Sequence, residues 1–194
     1  MRKLLLLLFI LGLLTGLAAC QQGEPQPQAE APPQQESAPP PAVDERTLLV
    51  GTVVNATLVN IRQQPNTDSR IIDNALRGVM YRLSSAEPID GWYEIVSHGE
   101  TAYIYQDYLY VTEWQSGAQL TVGRVVNTDS AVNIRQEASL DAPIVASAGK
   151  NESFIVLQPD IAEGWHQIDL AGTPAYIGTA FLEMQTLSIE DALY

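Results

Sequence analysis

The sequence predicts an all-β protein, with two small barrel-like units in tandem behind an unfolded Pro- and Gln-rich tether. A duplication is the first observation behind this. Val59-Asn60-Ile61-Arg62-Gln63 and Gly91-Trp92 recur 73 positions later as Val132-Asn133-Ile134-Arg135-Gln136 and Gly164-Trp165. The same offset pairs Ala102-Tyr103-Ile104 with Ala175-Tyr176-Ile177 and Leu109 with Leu182. Paired strands hold such a register because a one-residue slip turns their core face to solvent. The second observation is that the apolar stretches are short and closely punctuated by turn signals, with no convincing helical period. The third is an abrupt change of composition, since seven of the twelve prolines fall between Gln21 and Ala42.

Residues 1–19 read as a secretory leader. Arg2 and Lys3 precede an apolar run from Leu4 to Leu17, shorter than the ~20 residues a spanning helix needs. Leu17-Ala18-Ala19-Cys20 closes the run and resembles the lipobox of bacterial lipoproteins. That resemblance implies cleavage before Cys20 and a diacylglycerol on its sulfur, placing the chain on the extracytoplasmic side of a cell membrane or outer membrane. Acyl chains contribute ~0.8 kcal/mol per buried methylene, so two or three of them anchor stably where one does not. Cys20 is the single cysteine, which leaves no intramolecular disulfide. Residues 20–46 form the tether, poor in anything that buries and rich in Pro, Gln, Ala and Glu. Its composition predicts an unfolded, partly extended segment that reaches roughly 30 Å as a coil and about 80 Å when stretched.

The first unit is assigned to residues 47–112. Leu48–Val54, Val79–Leu83, Trp92–Val96, Ala102–Tyr105 and Leu109–Thr112 carry strand signals, broken by Ser84-Ser85 and by Pro88-Ile89-Asp90-Gly91. Five or six strands are expected, enclosing a core that is marginal at this size. Residues 113–122 read as a linker in which Trp114 is expected to pack between the units and support both. The second unit covers 123–184. In the tail, residues 185–194, Leu187, Ile189, Leu193 and Tyr194 suggest packing against the second barrel.

A short strand, Asn-Ile-Arg, a polar loop, a hydrophobic strand, Gly-Trp-Tyr or Gly-Trp-His with Ile two residues beyond, then Gly, Ala-Tyr-Ile and a closing Leu form a pattern. It resembles the bacterial SH3-type (SH3b) domain and covers Gly51–Val111 and Gly123–Met184. The resemblance implies two SH3-like β-barrels and a non-catalytic role. Family members usually carry Gly-Trp-Val where this chain has Ala-Tyr-Ile. The second copy departs further, with His166 for Tyr93, Gly178 for Tyr105 and Ala138 for Pro65.

Charge narrows the partners. The net charge is −13, and losing Arg2 and Lys3 with the leader makes it −15. Nucleic-acid binding rests on neutralising phosphates with Lys and Arg, so a nucleic-acid partner is not expected. An acidic field admits a cationic partner and also keeps a chain soluble. Neither a metal site nor a cofactor is expected, since the two histidines, His98 and His166, stand at unrelated places in the repeat and no phosphate-cradling glycine loop follows a strand. His166 near Asp169 is a bare sketch of a base with its acid. The expectation is a solvent-facing His166 and no enzyme activity.

Binding is assigned to aromatics. Trp92, Tyr93, Tyr103, Tyr105, Tyr108 and Tyr110 cluster in the first repeat. Alternation places Ile104 and Leu109 inward, which turns Tyr103, Tyr105, Tyr108 and Tyr110 to the outside as flat, amphipathic contact area. Trp92 and Tyr103, with their copies Trp165 and Tyr176, also suit a purely architectural role. The corresponding face of the second repeat reads Tyr176, Gly178, Phe181 and Glu183, so the first domain is expected to be the reader and the second a support. The resemblance implies a cell-envelope lipoprotein that binds the peptide part of peptidoglycan. The alternative is a scaffold that recruits an envelope enzyme or complex through strand edges or the tyrosine face.

Overall fold

Residues 46–194 are described by a computed structural model; the leader, Cys20 and the tether through residue 45 lie outside the described residues. The first half contains β1 (Thr47–Val53), β2 (Leu58–Arg62), β3 (Ile71–Leu76), β4 (Met80–Arg82), β5 (Trp92–Ser97), β6 (Glu100–Tyr105) and β7 (Leu109–Gln115). The second repeats the series as β8 (Gln119–Val125), β9 (Val132–Arg135), β10 (Ile144–Ala148), β11 (Ser153–Ala162), β12 (Trp165–Leu170), β13 (Thr173–Gly178) and β14 (Leu182–Ser188). The second half forms one antiparallel sheet in the order β10-β9-β13-β12-β11-β8-β14. The first half has the same order, parted into β3-β2-β6-β5 and β4-β1-β7, with the Leu83–Ile95 bridge across the gap. The fold is all-β, two small barrels in tandem.

Period-two patterning builds both cores. In β2, Val59 and Ile61 are buried while Leu58 and Asn60 face out. The first core joins Val53, Val59, Ile61, Ala75, Tyr81, Leu83, Ile95, Ala102, Ile104 and Leu109. The second joins Val125, Val132, Ile134, Ala148, Phe154, Val156, Ile168, Ala175, Ile177 and Leu182. Each member of the second is the repeat counterpart of a member of the first. Each barrel has seven strands rather than five or six. β3 reads Ile-Ile-Asp-Asn-Ala-Leu, and Asp and Asn are poor strand formers that an edge position tolerates.

The expected linker is not a linker. Glu113–Gln115 continue β7 along β1, and Gln119–Val122 already belong to β8, so the turn is confined to Ser116–Ala118. These strands outrun their barrels because a third core lies between them. Leu48, Val50, Met80, Leu120 and Ile189 are buried together there, with Trp114, Val122, Ile155 and Leu193 packed around them. Trp114 therefore sits at the joint, its indole N–H donating to Thr112 Oγ1 at 3.0 Å. The β3–β4 turn completes the joint. Arg77 Nη1 donates to Ser147 O at 2.8 Å and lies 3.2 Å from the buried Glu152 carboxylate, and Ser153 N–H donates to Arg77 O at 3.0 Å. Gly78, at φ +88°, presses against the Ser153 backbone.

The tail packs on this joint and reaches the first barrel, where the sequence suggested the second. After β14 comes a single turn, α1 (Ile189–Ala192), capped by Ser188. Ile189 enters the shared core, Leu193 bridges to Met80, and Tyr194 N–H donates to Met80 O at 2.9 Å. The Tyr194 ring meets Tyr81 edge-on at 5.4 Å and His98 at 5.3 Å. Its hydroxyl donates to Asp73 Oδ2 at 3.2 Å and lies 2.9 Å from His98 Nε2. Burial raises the Asp73 carboxyl, but the Asn74 N–H, the Ser97 and Tyr194 hydroxyls and the nearby His98 outweigh it and hold it below the ordinary 3.8. Burial and then the Asp73 charge raise the Tyr194 phenol above 10.0. A carboxyl depressed in the folded state stabilises above its unfolded value, and that contribution is lost as pH falls through the folded one. A raised phenol stabilises below its unfolded value and loses that contribution as pH rises through the folded one. Melting curves are therefore expected to fall less steeply for Tyr194→Phe than for the wild type both below about pH 4 and above about pH 10. Parallel pH profiles would show that these contacts carry no stability.

Candidate functional site

An aromatic groove runs along the outer face of the first barrel. Alternation on β5 and β6 turns Trp92 and Tyr105 outward, and antiparallel pairing sets them opposite each other. Their rings meet edge-on, centroids 5.3 Å apart at 70°. Gly91, at φ +84°, allows this: a Cβ there would approach the Tyr105 ring to 2.8 Å. The single 3-10 turn Gln106–Tyr108 then swings Tyr108 alongside, 39% exposed. The opposite wall is the outer face of β2, with Leu58, Asn60 and Arg62, flanked by Ala56 and Thr67. Together they enclose about 380 Å³. Arg62 Nη1 donates to Ser69 O at 2.6 Å, and Asn60 Oδ1 accepts from Asn74 Nδ2 at 2.9 Å, so both polar groups are held in place.

The structure brings together three of the six aromatics singled out in the sequence, Trp92, Tyr105 and Tyr108. Tyr103 stays on the outer face, in register with Glu94 and Arg62, beside the groove rather than in its lining. Tyr93 is a correction. It pairs with Ile104 on the inner face of the sheet, packs against the core, and donates its hydroxyl to Ala86 O at 3.1 Å. Tyr110 is a second correction, since it faces the other barrel, where a Cβ on Gly172 would stand 2.5 Å from its hydroxyl. Leu58, Asn60 and Arg62 complete the groove, and the signal for them was the alternation of β2, in which Val59 and Ile61 point the other way.

The second barrel has a groove at the matching place, with two rings in its lining where the first has three. Thr128, Asn133, Arg135, Leu140, Trp165, Gly178 and Phe181 are among its lining, and it encloses about 590 Å³. A third cavity of about 440 Å³ opens between the barrels beside Arg77, Tyr110 and Asp169.

His166 is buried at 2% exposure, where a solvent-facing residue was expected. β11 runs on to Ala162, and its bulge brings the Asp160 backbone N–H to His166 Nδ1 at 3.0 Å. Asp169, its sketched acid, instead accepts from Gly172 N–H at 2.7 Å. Among the described residues no group of three His, Cys, Asp or Glu side chains is placed to hold a metal ion. What the first groove offers is flat aromatic area, an amide and a guanidinium.

Residues 47–110 match the bacterial SH3 domain, a segment that contains every residue lining the first groove. No curated protein matches the chain. Among solved structures, NlpC2 and NlpC1 from Trichomonas vaginalis are each 18% identical to this chain, with a TM-score of 0.28. The alignments cover 71% and 73% of this chain and 48% of each of theirs, so the chain spans about half the length of those proteins.

Proposed function

We propose that this chain is a non-catalytic binding protein of the bacterial cell envelope, and that its first barrel holds the peptide part of the cell wall in the groove between Trp92, Tyr105, Tyr108 and β2. The observation that carries this reading is the coincidence of the bacterial SH3 match with an open, ring-lined groove. Aromatic rings supply contact area at low entropic cost, and Asn60 and Arg62 stand ready for backbone and carboxylate groups. The acidic field suits the ammonium groups of cross-linking residues. In this reading Cys20 carries the lipid, the tether spans the distance to the wall, and the protein works on the extracytoplasmic side of its membrane.

Sedimentation with purified sacculi tests it. Wild-type protein is expected in the pellet, and Tyr108→Ala is expected to reduce retention about tenfold, the loss of one stacked ring. Tyr105→Ala should act likewise, with a melting curve to separate lost binding from lost packing on Trp92. Retention that ignores Tyr108→Ala would remove the groove from the account. One observation favours a scaffold instead: β3 and β10 end their sheets, with Ile71, Ile144 and Val145 exposed, as strand addition by a partner requires. Absence of wild-type retention, with a partner crosslinked to β3 or β10, would establish that reading in its place.

A further inference from the structure

The cavity between the barrels shares no lining residue with either groove. We propose that it is a binding site for a small organic cation, one ammonium group on a short apolar body, held between Asp169 of the second barrel and the Tyr110 ring of the first. It encloses about 440 Å³, within the ~300–1,000 Å³ of small-molecule sites. The first barrel supplies the end of β1, the turn at Arg77 and Gly78, and Tyr110. The second supplies parts of β8, β10 and β11 and the turn that follows Asp169. Duplication does not build this site. The counterpart of Tyr110 is Glu183 and that of Asp169 is Val96, so the chain carries the pair once.

Two charged side chains line the cavity, and only one of them is open to a ligand. Arg77 faces the buried Glu152 carboxylate at 3.2 Å and donates to Ser147 O at 2.8 Å, so its charge is balanced within the joint. Asp169 is half-buried and accepts the Gly172 N–H on Oδ1 at 2.7 Å; among the described residues nothing bonds its Oδ2. Tyr110 reaches the same turn, where a Cβ on Gly172 would stand 2.5 Å from its hydroxyl. A half-buried carboxylate beside an aromatic ring attracts an ammonium group by its charge and by the negative face of the ring. Val54, Val122, Val145 and Leu170 add apolar wall, which loses its water to an alkyl or aryl body. An anionic ligand meets a chain of net charge −13 and a guanidinium that is already paired. Because both barrels line the cavity, the bound cation bridges them.

The test is a titration of the full chain with phenethylammonium, followed by amide and indole NMR signals. The Gly172 amide is expected to shift and saturate, because its acceptor is the carboxylate that the ammonium meets, while the indole N–H signals of Trp92 and Trp165 in the two grooves stay in place. Affinity is expected to fall as salt is added. Phenylacetate and phenethyl alcohol, which carry an anionic and a neutral head on the same ring, are expected to bind at least tenfold more weakly. Asp169→Asn keeps an acceptor for the Gly172 N–H and should bring phenethylammonium down to the level of the alcohol. Val145→Lys, at a lining position 48% exposed, sets a fixed cation beside the cavity and should weaken binding at least fivefold. Phenethylammonium should raise the melting temperature of the wild type and not that of Asp169→Asn. A Gly172 signal that never moves, equal binding of phenylacetate or the alcohol, or full affinity in Asp169→Asn overturns the proposal. Movement of Trp92 or Trp165 in place of Gly172 overturns it too, by assigning the cation to a groove. None of these readouts involves sacculi, so failure of the peptide groove and failure of this site are told apart.

Discussion

Gly78→Ala is expected to destabilise this protein by about 3 kcal/mol, far more than alanine at any other left-handed glycine in an open turn. Two costs coincide at this position. The backbone holds φ +88°, which costs an L side chain roughly 1–2 kcal/mol. The added methyl would also overlap the carbonyl of Ser153, and because that obstacle is backbone, no side chain can turn aside to make room. Gly164 supplies the control, since its φ of +79° is similar and nothing stands within 4 Å of a Cβ there. Gly164→Ala should therefore show the conformational cost alone. In thermal unfolding the Gly78 variant is expected to melt about 10 °C lower than the wild type, at 2–4 °C per kcal/mol for a chain of this size. Equal shifts for the two variants would mean that the turn is not wedged against the second barrel.

Arg77→Met is expected to cost about 3 kcal/mol, because it strands a charge. Glu152 is fully buried, one carboxylate oxygen accepts from Gly149 N–H at 3.1 Å, and the other faces Arg77 Nη1 at 3.2 Å. Removing the guanidinium leaves that oxygen without a cation and also releases Ser147 O. The double variant Arg77→Met/Glu152→Gln should recover much of the loss, since a neutral amide costs less to bury than a lone carboxylate. Denaturant unfolding of both variants measures the coupling. If the double variant is no more stable than Arg77→Met, the pair is not what joins the barrels. Both substitutions act on the interlock, so they should also split a single cooperative transition into two.

Much of the core was legible in the sequence because a repeat and an alternation report the same thing. Val59, Ile61, Ile95, Ala102, Ile104 and Leu109 recur in Val132, Ile134, Ile168, Ala175, Ile177 and Leu182, and all of them are buried. The inward placement of Ile104 and Leu109 followed from period two alone. The groove was legible only in part. Trp92 and Tyr93 are neighbours in sequence, so they leave β5 on opposite faces, and which face is outside depends on the pairing of Trp92 with Tyr105 and of Tyr93 with Ile104. Tyr110 looks like Tyr108 in sequence and differs because the second barrel stands in front of it. Gly178 read as the loss of a ring, whereas in the folded barrel it opens a space that Leu140 and Phe181 line.

The sequence alone determined the strand-built class of the protein, its duplication and the inward placement of Ile104 and Leu109, because local pleat and hydrophobic spacing answer those questions without knowledge of distant residues. Only the tertiary structure decided that the barrels share a third core, that Tyr194 reaches back to Asp73 and His98, and that the turn at Arg77 and Gly78 locks onto Glu152 and Ser153. Those contacts join segments far apart in the chain. Nothing in the local pattern of a turn glycine, a surface arginine or a terminal tyrosine records which partner it will meet.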